Sequence, residues 1–284
     1  MEQSTMQSFY QNKVAVITGA ASGMGRSYAM QLTKLGAHVI ISDIDNTGLD
    51  ETATLVEKIN GKPCIKMIMD VSKNKDWQAL KTLTLDTHGH CDILINNAGI
   101  EGATVPVWAS SISQIKQTMD VNFMGVVHGV RQFLPLLVKR TEANIINVSS
   151  IFGLIGSPNA SDYCASKFAV KGYSEALMVE LAHVHPHVSV HVVHPGGVDT
   201  NIARSAKTEK FKEKFLTTPS EEMVNYVLAE VISGNPRIVY GNQAKRTYWA
   251  SKLLSLPKLV KLIGKSMHKI ADPADYDPNH KGFR

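Results

Sequence analysis

Seven short runs of apolar residues alternate with helix-length segments along the chain up to Tyr240. Continuous apolar runs of this length indicate strands that are buried on both faces, as in a parallel sheet. The predicted strands are Lys13–Thr18, His38–Ser42, Cys64–Met69, Asp92–Asn96, Asn144–Val148, Val188–Val193 and Arg237–Tyr240. Because such strands and helices form right-handed βαβ units, the pattern predicts an α/β fold: a doubly wound parallel sheet with helices on both faces.

The predicted elements divide the chain into three parts. We expect a flexible N-terminus over residues 1–12, a single domain over residues 13–241, and a basic amphipathic extension over residues 242–284 with a loosely ordered tail after Asp272. Helices are predicted at Gly25–Leu35, Leu49–Ile59, Trp77–Thr87, Ile112–Arg140 and Tyr163–His183.

The composition suits a globular protein with a large core, since 44% of the 284 residues are hydrophobic and 19% are charged. No window holds about 18 uninterrupted apolar residues, so no transmembrane helix is expected. The N-terminus has neither the basic nor the apolar region of a signal peptide. Three cysteines without a C-x-x-C pair indicate reduced thiols, and we therefore expect a cytoplasmic protein.

The net charge of +5 is concentrated near the C-terminus. Eight basic residues and no carboxylate occur between Val231 and Ala271, so the rest of the chain is slightly acidic. Because the basicity is local, it does not indicate a protein that binds nucleic acid.

A glycine-rich turn, residues 18–25, joins the first predicted strand to the first predicted helix. Its glycines allow a tight turn and the close approach of a pyrophosphate, which rests on the helix N-terminus. Asp43 ends the second strand, where a carboxylate accepts hydrogen bonds from a ribose 2′-hydroxyl and repels a 2′-phosphate. No basic residue stands at positions 20–22 or directly after Asp43. The sequence therefore predicts NAD, rather than NADP, as the cofactor.

These residues and several later motifs resemble the short-chain dehydrogenase/reductase (SDR) family in order and spacing over residues 13–200. The matching motifs are Thr18–Gly25, Asp70–Val71, Asn96–Gly99, Asn122, Ser150, Tyr163–Lys167 and Pro195–Thr200. The resemblance implies a Rossmann-fold oxidoreductase that acts on CH–OH groups. It also implies a homo-oligomer, either a dimer or the tetramer that is common in the family.

The resemblance assigns the cofactor contacts as well. It implies that Asp70 and Val71 hold the adenine, that residues 97–99 support the ribose, and that Val198 and Thr200 hold the nicotinamide amide. The predicted cofactor-binding residues are Gly19, Ser22, Gly23, Met24, Gly25, Asp43, Asp70, Val71, Asn97, Ala98, Gly99, Tyr163, Lys167, Pro195, Gly196, Val198 and Thr200.

Tyr163 is the predicted catalytic acid and base. A free tyrosine has a pKa of about 10, and a nearby ammonium lowers that pKa by favouring the phenolate. Lys167 lies four residues further along the same predicted helix and on the same face. Ser150, 13 residues before the tyrosine, can hold the substrate oxygen, and this spacing selects it over Ser149. By the resemblance, Lys167 also binds the nicotinamide ribose, and Asn122 holds a water in a proton relay.

Three further features need not take part in the chemistry of the site. A run of histidines straddles a helix end, a proline and a strand, so we do not expect a metal site there. These histidines are His183, His185, His187, His191 and His194. Cys164 occupies the variable position of the tyrosine motif and is not expected to be a nucleophile. Trp108 and the loop over residues 100–109 could line the substrate site, but a core or surface aromatic is nearly as consistent with the sequence.

The extension after Gly241 departs from the commonest form of the family. One helical stripe there is basic and a broad face is apolar, which indicates an amphipathic helix. The lysines are Lys258, Lys261, Lys265 and Lys269, and the apolar residues are Leu259, Val260, Leu262, Ile263, Met267 and Ile270. We expect this helix to pack on its own domain or a sister subunit. The alternatives are weak contact with a membrane surface through residues 258–270 and an anionic docking face for a carrier protein or CoA.

The segment at about residues 201–219 is expected to be a mobile substrate lid with lysines that face solvent, namely Lys207, Lys210, Lys212 and Lys214.

Together the residues predict reversible oxidation of a secondary alcohol, hydrophobic and steroid- or lipid-like, to a ketone. The alternatives are an NADP-linked 3-oxoacyl or ketone reductase, a membrane-associated lipid-handling dehydrogenase, and a non-catalytic NAD-sensing scaffold. Asp43 argues against the first, and the intact set of Ser150, Tyr163 and Lys167 argues against the last.

Overall fold

The structure, a computed structural model, describes residues 3–202, 209–267 and 273–277. Seven strands form one sheet, and two short strands form a separate ladder. The sheet strands are β1 Val14–Thr18, β2 His38–Asp43, β3 Ile65–Ile68, β4 Ile93–Asn96, β5 Ala143–Val148, β6 Val188–Pro195 and β9 Arg237–Tyr240, and the short strands are β7 Val198–Asp199 and β8 Thr218–Pro219.

Helices cover both faces of the sheet. They are α1 Gln3–Tyr10, α2 Gly23–Lys34, α3 Asn46–Asn60, α4 Asn74–His88, α5 Ile112–Met119, α6 Gly125–Leu137, α7 Ser161–Val184, α8 Glu209–Phe215, α9 Ser220–Ile232, α10 Ala244–Leu253 and α11 Leu256–Met267.

All neighbouring strands of the large sheet are parallel, in the order β3-β2-β1-β4-β5-β6-β9. This order confirms the predicted Rossmann-type doubly wound sheet. The chain leaves β1 toward one edge and returns to β4 on its other side. Ligands of such sheets bind in the crevice at the carboxyl ends of the strands where the order reverses.

The core has two layers because successive residues of a strand point to opposite faces. On β1, Ala15 and Ile17 pack with one helix layer, which includes Leu32 of α2 and Val227 of α9. Val14 and Val16 pack with the other layer, which includes Trp77, Phe133 and Val170.

The N-terminal segment, expected to be flexible, is helical from Gln3 onward. Residues 3–10 form α1, and the Tyr10 side chain is completely buried. The Tyr10 hydroxyl donates a 2.7 Å hydrogen bond to the Leu228 carbonyl oxygen of α9. A contact between residues so far apart in the chain leaves no local signal in the sequence.

The helices predicted over residues 112–140 are α5 and α6. A π-helical turn, Asp120–Met124, separates α5 from α6, and the Asn122 side chain inside this turn is fully buried. Single π-turns inside helices often occur at functional sites, because they reposition one side chain without ending the helix.

Residues 273–277 belong to the tail that was expected to be loosely ordered, and they have a regular turn and side-chain hydrogen bonds. Pro273–Tyr276 form a 3-10 turn. The Asp275 carboxylate accepts a 2.9 Å hydrogen bond from Asn159 Nδ2, and the Tyr276 hydroxyl donates to Asn159 Oδ1 at 2.8 Å. The turn is therefore fastened to the loop before α7. Residues 268–272 and 278–284, with the predicted Lys269 and Ile270, lie outside the described part, as does Lys207.

Candidate active site

A cavity of about 1590 Å³ lies at the carboxyl ends of the strands and contains nearly every predicted site residue. Its lining includes the predicted catalytic residues Ser150, Tyr163 and Lys167. It also includes the predicted cofactor residues Gly19, Ser22, Gly23, Met24, Asp43, Asp70, Val71, Asn97, Ala98, Gly99, Pro195, Gly196, Val198 and Thr200. Gly25 and Asn122 do not line it, and each has a contact that explains its position.

The glycine turn is packed so closely that side chains are excluded. Gly19 has a φ of +68°, and an added Cβ would lie 2.7 Å from Ala98 Cα. At Gly25 an added Cβ would lie 1.9 Å from the Gly19 carbonyl oxygen. Gly25 thus sets the approach of α2 to the turn, and Gly19 and Gly23 leave the backbone open to the cavity. A dinucleotide pyrophosphate fits this cradle.

Asn97 fastens the turn to the end of β4. Its Nδ2 donates to the carbonyl oxygens of Thr18 and Gly19 at 2.9 and 3.2 Å, and its backbone N–H donates to Thr18 Oγ1 at 3.1 Å. The Ala98 N–H donates to the same hydroxyl at 3.2 Å. These bonds hold the edges of the predicted cofactor site at a fixed separation.

Asp43 lies at the end of β2, where one carboxylate oxygen accepts a 2.9 Å bond from the Ala21 N–H and the carboxylate lines the cavity. One guanidinium lies near the turn, that of Arg26. It is bonded to Thr52 Oγ1, to the Ala21 carbonyl oxygen and to the Glu51 carboxylate, and it does not line the cavity. The carboxylate of Asp43 therefore faces the predicted cofactor site without the Arg26 guanidinium beside it.

The predicted catalytic residues line one part of the cavity. Ser150 lies close enough to Tyr163 to influence the pKa of the tyrosine, and Lys167 Nζ lies 5.6 Å from the centroid of the tyrosine ring. Lys167 is only 2% exposed and donates a 3.0 Å bond to the Val148 carbonyl oxygen. The rejected neighbour Ser149 donates its hydroxyl to the Lys167 carbonyl oxygen at 2.8 Å, which leaves Ser150 as the serine that faces Tyr163.

The pKa of Tyr163 differs from the expectation. Burial raises it to about 12, while the hydrogen bond from Ser150 acts in the lowering direction. Burial also lowers the pKa of Lys167 to about 8. Both pKa shifts follow from burial, which disfavours the charged form of each group.

Asn122 stands behind the cavity wall. Its Oδ1 accepts from the Ile100 N–H at 2.8 Å, and its Nδ2 donates to the Ile100 carbonyl oxygen at 3.0 Å and to Ser166 Oγ at 3.1 Å. A Cβ added to Gly99 would lie 3.1 Å from Asn122 Oδ1 and 3.4 Å from Lys167 Nζ. The amide is therefore fully bonded, and it fixes the loop at Ile100 beside Lys167.

Asp162 is a site residue that the sequence reasoning missed. Its carboxylate is 2% exposed and accepts hydrogen bonds from Ala103 N–H, Thr118 Oγ1 and the Tyr163 N–H at 2.9, 2.8 and 2.8 Å. It joins the loop at Ala103, helix α5 and the start of α7 around the catalytic tyrosine. An acid directly before the tyrosine was visible in the sequence, but its three partners are brought together only by the fold.

One wall of the cavity is aromatic. Tyr163, Phe152, Phe211 and Phe215 form a chain of ring contacts, with successive centroids 6.2, 6.1 and 5.1 Å apart. The expected lid thus includes a helix, α8, whose two phenylalanines line the cavity while Lys210 and Lys214 are exposed and Lys212 is half-buried.

The C-terminal extension forms part of the wall. Leu259, Leu262 and Ile263 of α11 line the cavity, and Leu259 is buried. The expected amphipathic helix is present, and part of its apolar face packs on its own domain. Asp275 and Tyr276 line the cavity as well. Trp108 does not, although its ring contacts that of Tyr276 with centroids 6.0 Å apart.

The histidines of the run are separated. His191 is bonded to the Asn235 carbonyl oxygen and to Asn144 Oδ1, and His194 Nδ1 is bonded to the Ser150 carbonyl oxygen at 2.8 Å. Among the described residues, no group of histidine, cysteine and acidic side chains could hold a metal ion. Burial raises the pKa of Cys164 to about 11, which keeps it a thiol at neutral pH.

The fold and the site define a Rossmann-fold protein with a serine, tyrosine and lysine site beside a dinucleotide cradle. The chain belongs to the short chain dehydrogenase family, whose pattern matches residues 13–210. It is 36% identical over 248 residues to SadH of Mycobacterium tuberculosis, which is named as an oxidoreductase, and the match covers 84% of this chain and 89% of SadH.

Further relatives agree with this assignment. The cyclohexanol dehydrogenase of an Acinetobacter strain is 30% identical over 243 residues, covering 85% of this chain and 96% of that enzyme. A short chain dehydrogenase/reductase from Burkholderia phymatum, solved in complex with NAD, matches with a TM-score of 0.77 and 26% identity over 93% of this chain and 97% of that one. Solved neighbours include complexes with NAD and with NADP.

None of the helices in the described ranges is both long and apolar enough to pass through a bilayer.

Proposed function

We propose that the protein is an NAD-dependent dehydrogenase that interconverts a secondary alcohol and a ketone. The observation that carries this proposal is the convergence of Ser150, Tyr163 and Lys167 at the inner end of a cavity that also contains the glycine cradle. The cyclohexanol dehydrogenase among the relatives supports an alcohol as substrate.

In this proposal NAD, when bound, supplies the hydride acceptor for alcohol oxidation. The chain handles the proton: Tyr163 accepts it from the substrate hydroxyl, and Ser150 donates a hydrogen bond that holds the substrate oxygen in place. Lys167 Nζ lies 5.6 Å from the centroid of the tyrosine ring, where its positive charge favours the phenolate that accepts the proton. Asn122 positions the loop that borders Lys167.

The test of this chemistry is Tyr163→Phe, which removes only the phenolic proton handle. The variant should bind NADH as the wild type does and lose turnover of cyclohexanol by about 10²-fold or more, the contribution typical of general acid and base groups. A variant that kept its turnover would refute the role of Tyr163. NADH binding without turnover by the wild type, over a panel of cyclic, steroid and long-chain secondary alcohols, would favour the non-catalytic scaffold.

We propose a preference for NAD over NADP for two reasons. The Asp43 carboxylate would repel a 2′-phosphate, and the Arg26 guanidinium is already hydrogen-bonded within the chain. Wild-type protein should bind NADH more tightly than NADPH in calorimetry. The double substitution Asp43→Ser and Ile44→Arg should shift the preference toward NADPH, because it replaces a carboxylate by a hydroxyl and places a cation beside it. Tighter binding of NADPH by the wild type would contradict this assignment.

An apolar substrate, steroid- or lipid-like, is proposed from the walls of the outer cavity. Phe152, Phe211, Phe215 and Leu259 present apolar surface along the route from Tyr163. Larger cyclic or long-chain alcohols should therefore have a higher kcat/KM than isopropanol. The opposite order in a substrate series would reject this substrate class.

We also propose a homo-oligomer. Helix α7 carries Phe168, Val179 and Val184 at 43%, 75% and 62% exposure, more apolar surface than one solvent-facing helix normally shows. Light scattering should give a mass of two or four chains, and a monomer would contradict this proposal.

A further inference from the structure

Helices α10 and α11, residues 244–267, form an arm with exposed apolar side chains. Trp249 and Leu253 are four residues apart on α10 and are 57% and 75% exposed. Leu256 and Val260 are four residues apart on α11 and are 72% and 60% exposed. Residues at this spacing share one face of a helix, so each helix of the arm presents an uncovered apolar stripe.

The same arm is strongly basic. All six of its cations are exposed: Lys245, Arg246, Lys252, Lys258, Lys261 and Lys265. No Asp or Glu occurs between residues 231 and 271. None of the six forms an ion pair with a carboxylate in the part of the chain that the structure describes. The surface that covers this arm must therefore be both apolar and anionic.

A second copy that docks arm against arm does not meet that requirement. In such a two-fold contact six cations would face six cations with no carboxylate between them. A nucleic acid would satisfy the charge but offers no environment for Trp249, Leu253 and Leu256. A bilayer with acidic headgroups satisfies both demands, since apolar side chains enter its interface and lysines remain among the phosphates.

We propose that the arm docks on the surface of an anionic phospholipid bilayer. Trp249, Leu253, Leu256 and Val260 enter the boundary between headgroups and acyl chains, and the surrounding cations contact lipid phosphates. The binding is peripheral, through helices that lie along the surface.

The docking face and the substrate cavity share a wall. Ala250 of α10 and Leu259 of α11 line the cavity, and Leu262 both lines it and is 46% exposed. Docking therefore brings the apolar side of the cavity close to the lipid. This gives a lipophilic alcohol a short path from the bilayer to Tyr163, a consequence that rests on the proposed function.

The test is co-sedimentation of the full chain with vesicles of phosphatidylcholine alone and of phosphatidylcholine with about one-third phosphatidylglycerol. The protein should bind the anionic vesicles at low salt at least about tenfold more tightly than the neutral ones. At about 1 M salt, where the Debye length is about 3 Å, the preference should disappear.

The double substitution Leu253→Glu and Val260→Glu should reduce binding to the anionic vesicles at least about tenfold, since it removes two insertions and places carboxylates on the face. The matched control is Ile68→Glu with Val107→Glu, which makes the same charge change at exposed apolar sites away from the arm. The control should bind as the wild type does. Neither pair lines the cavity, so turnover of a soluble alcohol with NAD should be unchanged in both.

The proposal is overturned if wild-type protein does not bind anionic vesicles, or if the arm variant binds as well as the control. It is also overturned if the arm variant alone changes the oligomer mass in light scattering, because the arm would then cover a second copy. Vesicle binding is measured without substrate, so its failure is distinct from a failure of the proposed dehydrogenase activity.

Discussion

Replacing the buried Lys167 by Met should abolish activity and stabilise the protein. The ammonium is 2% exposed, and burial lowers the pKa of Lys167 from 10.5 to about 8. A change of one in pKa corresponds to about 1.4 kcal/mol, so at neutral pH the charged lysine reduces the free energy of unfolding by about 3 kcal/mol. Met has nearly the same shape, but it loses the 3.0 Å hydrogen bond to the Val148 carbonyl oxygen, which contributes about 1 kcal/mol. The expected net gain is about 2 kcal/mol.

The pH dependence distinguishes this explanation from a simple packing effect. Between pH 8 and 10.5 the folded wild type has lost the lysine proton while the unfolded chain retains it, so wild-type stability rises with pH. The advantage of Lys167→Met should therefore be largest below pH 8 and shrink above it. Urea denaturation of the cofactor-free proteins at about pH 7 and about pH 9.5 measures this difference in the free energy of unfolding.

A control lies one turn further along α7. Lys171 forms a partly exposed ion pair with Glu175, with Nζ 3.1 Å from the carboxylate oxygen. Lys171→Met should change the free energy of unfolding by less than about 1 kcal/mol. A Lys167→Met protein that is less stable than wild type at pH 7, or whose advantage is the same at both pH values, would refute the reasoning.

Three further predictions concern the site and its frame. Gly25→Ala should reduce stability by about 1–3 kcal/mol and weaken NADH binding, because the added Cβ would lie 1.9 Å from the Gly19 carbonyl oxygen. Its control is Gly172→Ala, which lies within a helix with open space around it. This control should raise stability by about 0.5–1 kcal/mol in the same denaturation assay. Asp162→Ala should cost about 3 kcal/mol and lower kcat, because one buried and two half-buried donors lose their acceptor. An unchanged melting temperature would contradict this. Burial raises the pKa of Tyr163 to about 12. When the tyrosinate absorbance of the wild type and of Tyr163→Phe is titrated with pH, the difference between the two curves should therefore show no transition below about pH 10.

The sheet and the inner site were predictable because their signals are local. Strands buried on both faces must be apolar throughout, as Val14–Thr18 and Ile93–Asn96 are, and the glycine turn must fit one geometry. Ser150, Tyr163 and Lys167, which were chosen by their spacing, all line one cavity.

The structural features that the sequence did not predict depend on contacts between residues far apart in the chain. Helix α1 is anchored by Tyr10 on the Leu228 carbonyl oxygen, and the π-turn holds Asn122 against Ile100. The pKa direction of Tyr163 was missed because spacing reports that a cation is near but not how much water is excluded. The role of α11 as a cavity wall was equally invisible, since periodicity shows an apolar face without showing what that face covers.

The cavity wall built by α10 and α11 has a consequence for how such an enzyme can diversify. The family pattern ends at residue 210, whereas the two helices that border the outer cavity begin at Ala244. The residues proposed for cofactor binding and proton transfer thus lie in one contiguous stretch, and part of the wall proposed to border the substrate lies in another that follows it. Exchange of this terminal segment between homologues could redirect substrate choice as a single modular unit, leaving the catalytic centre untouched.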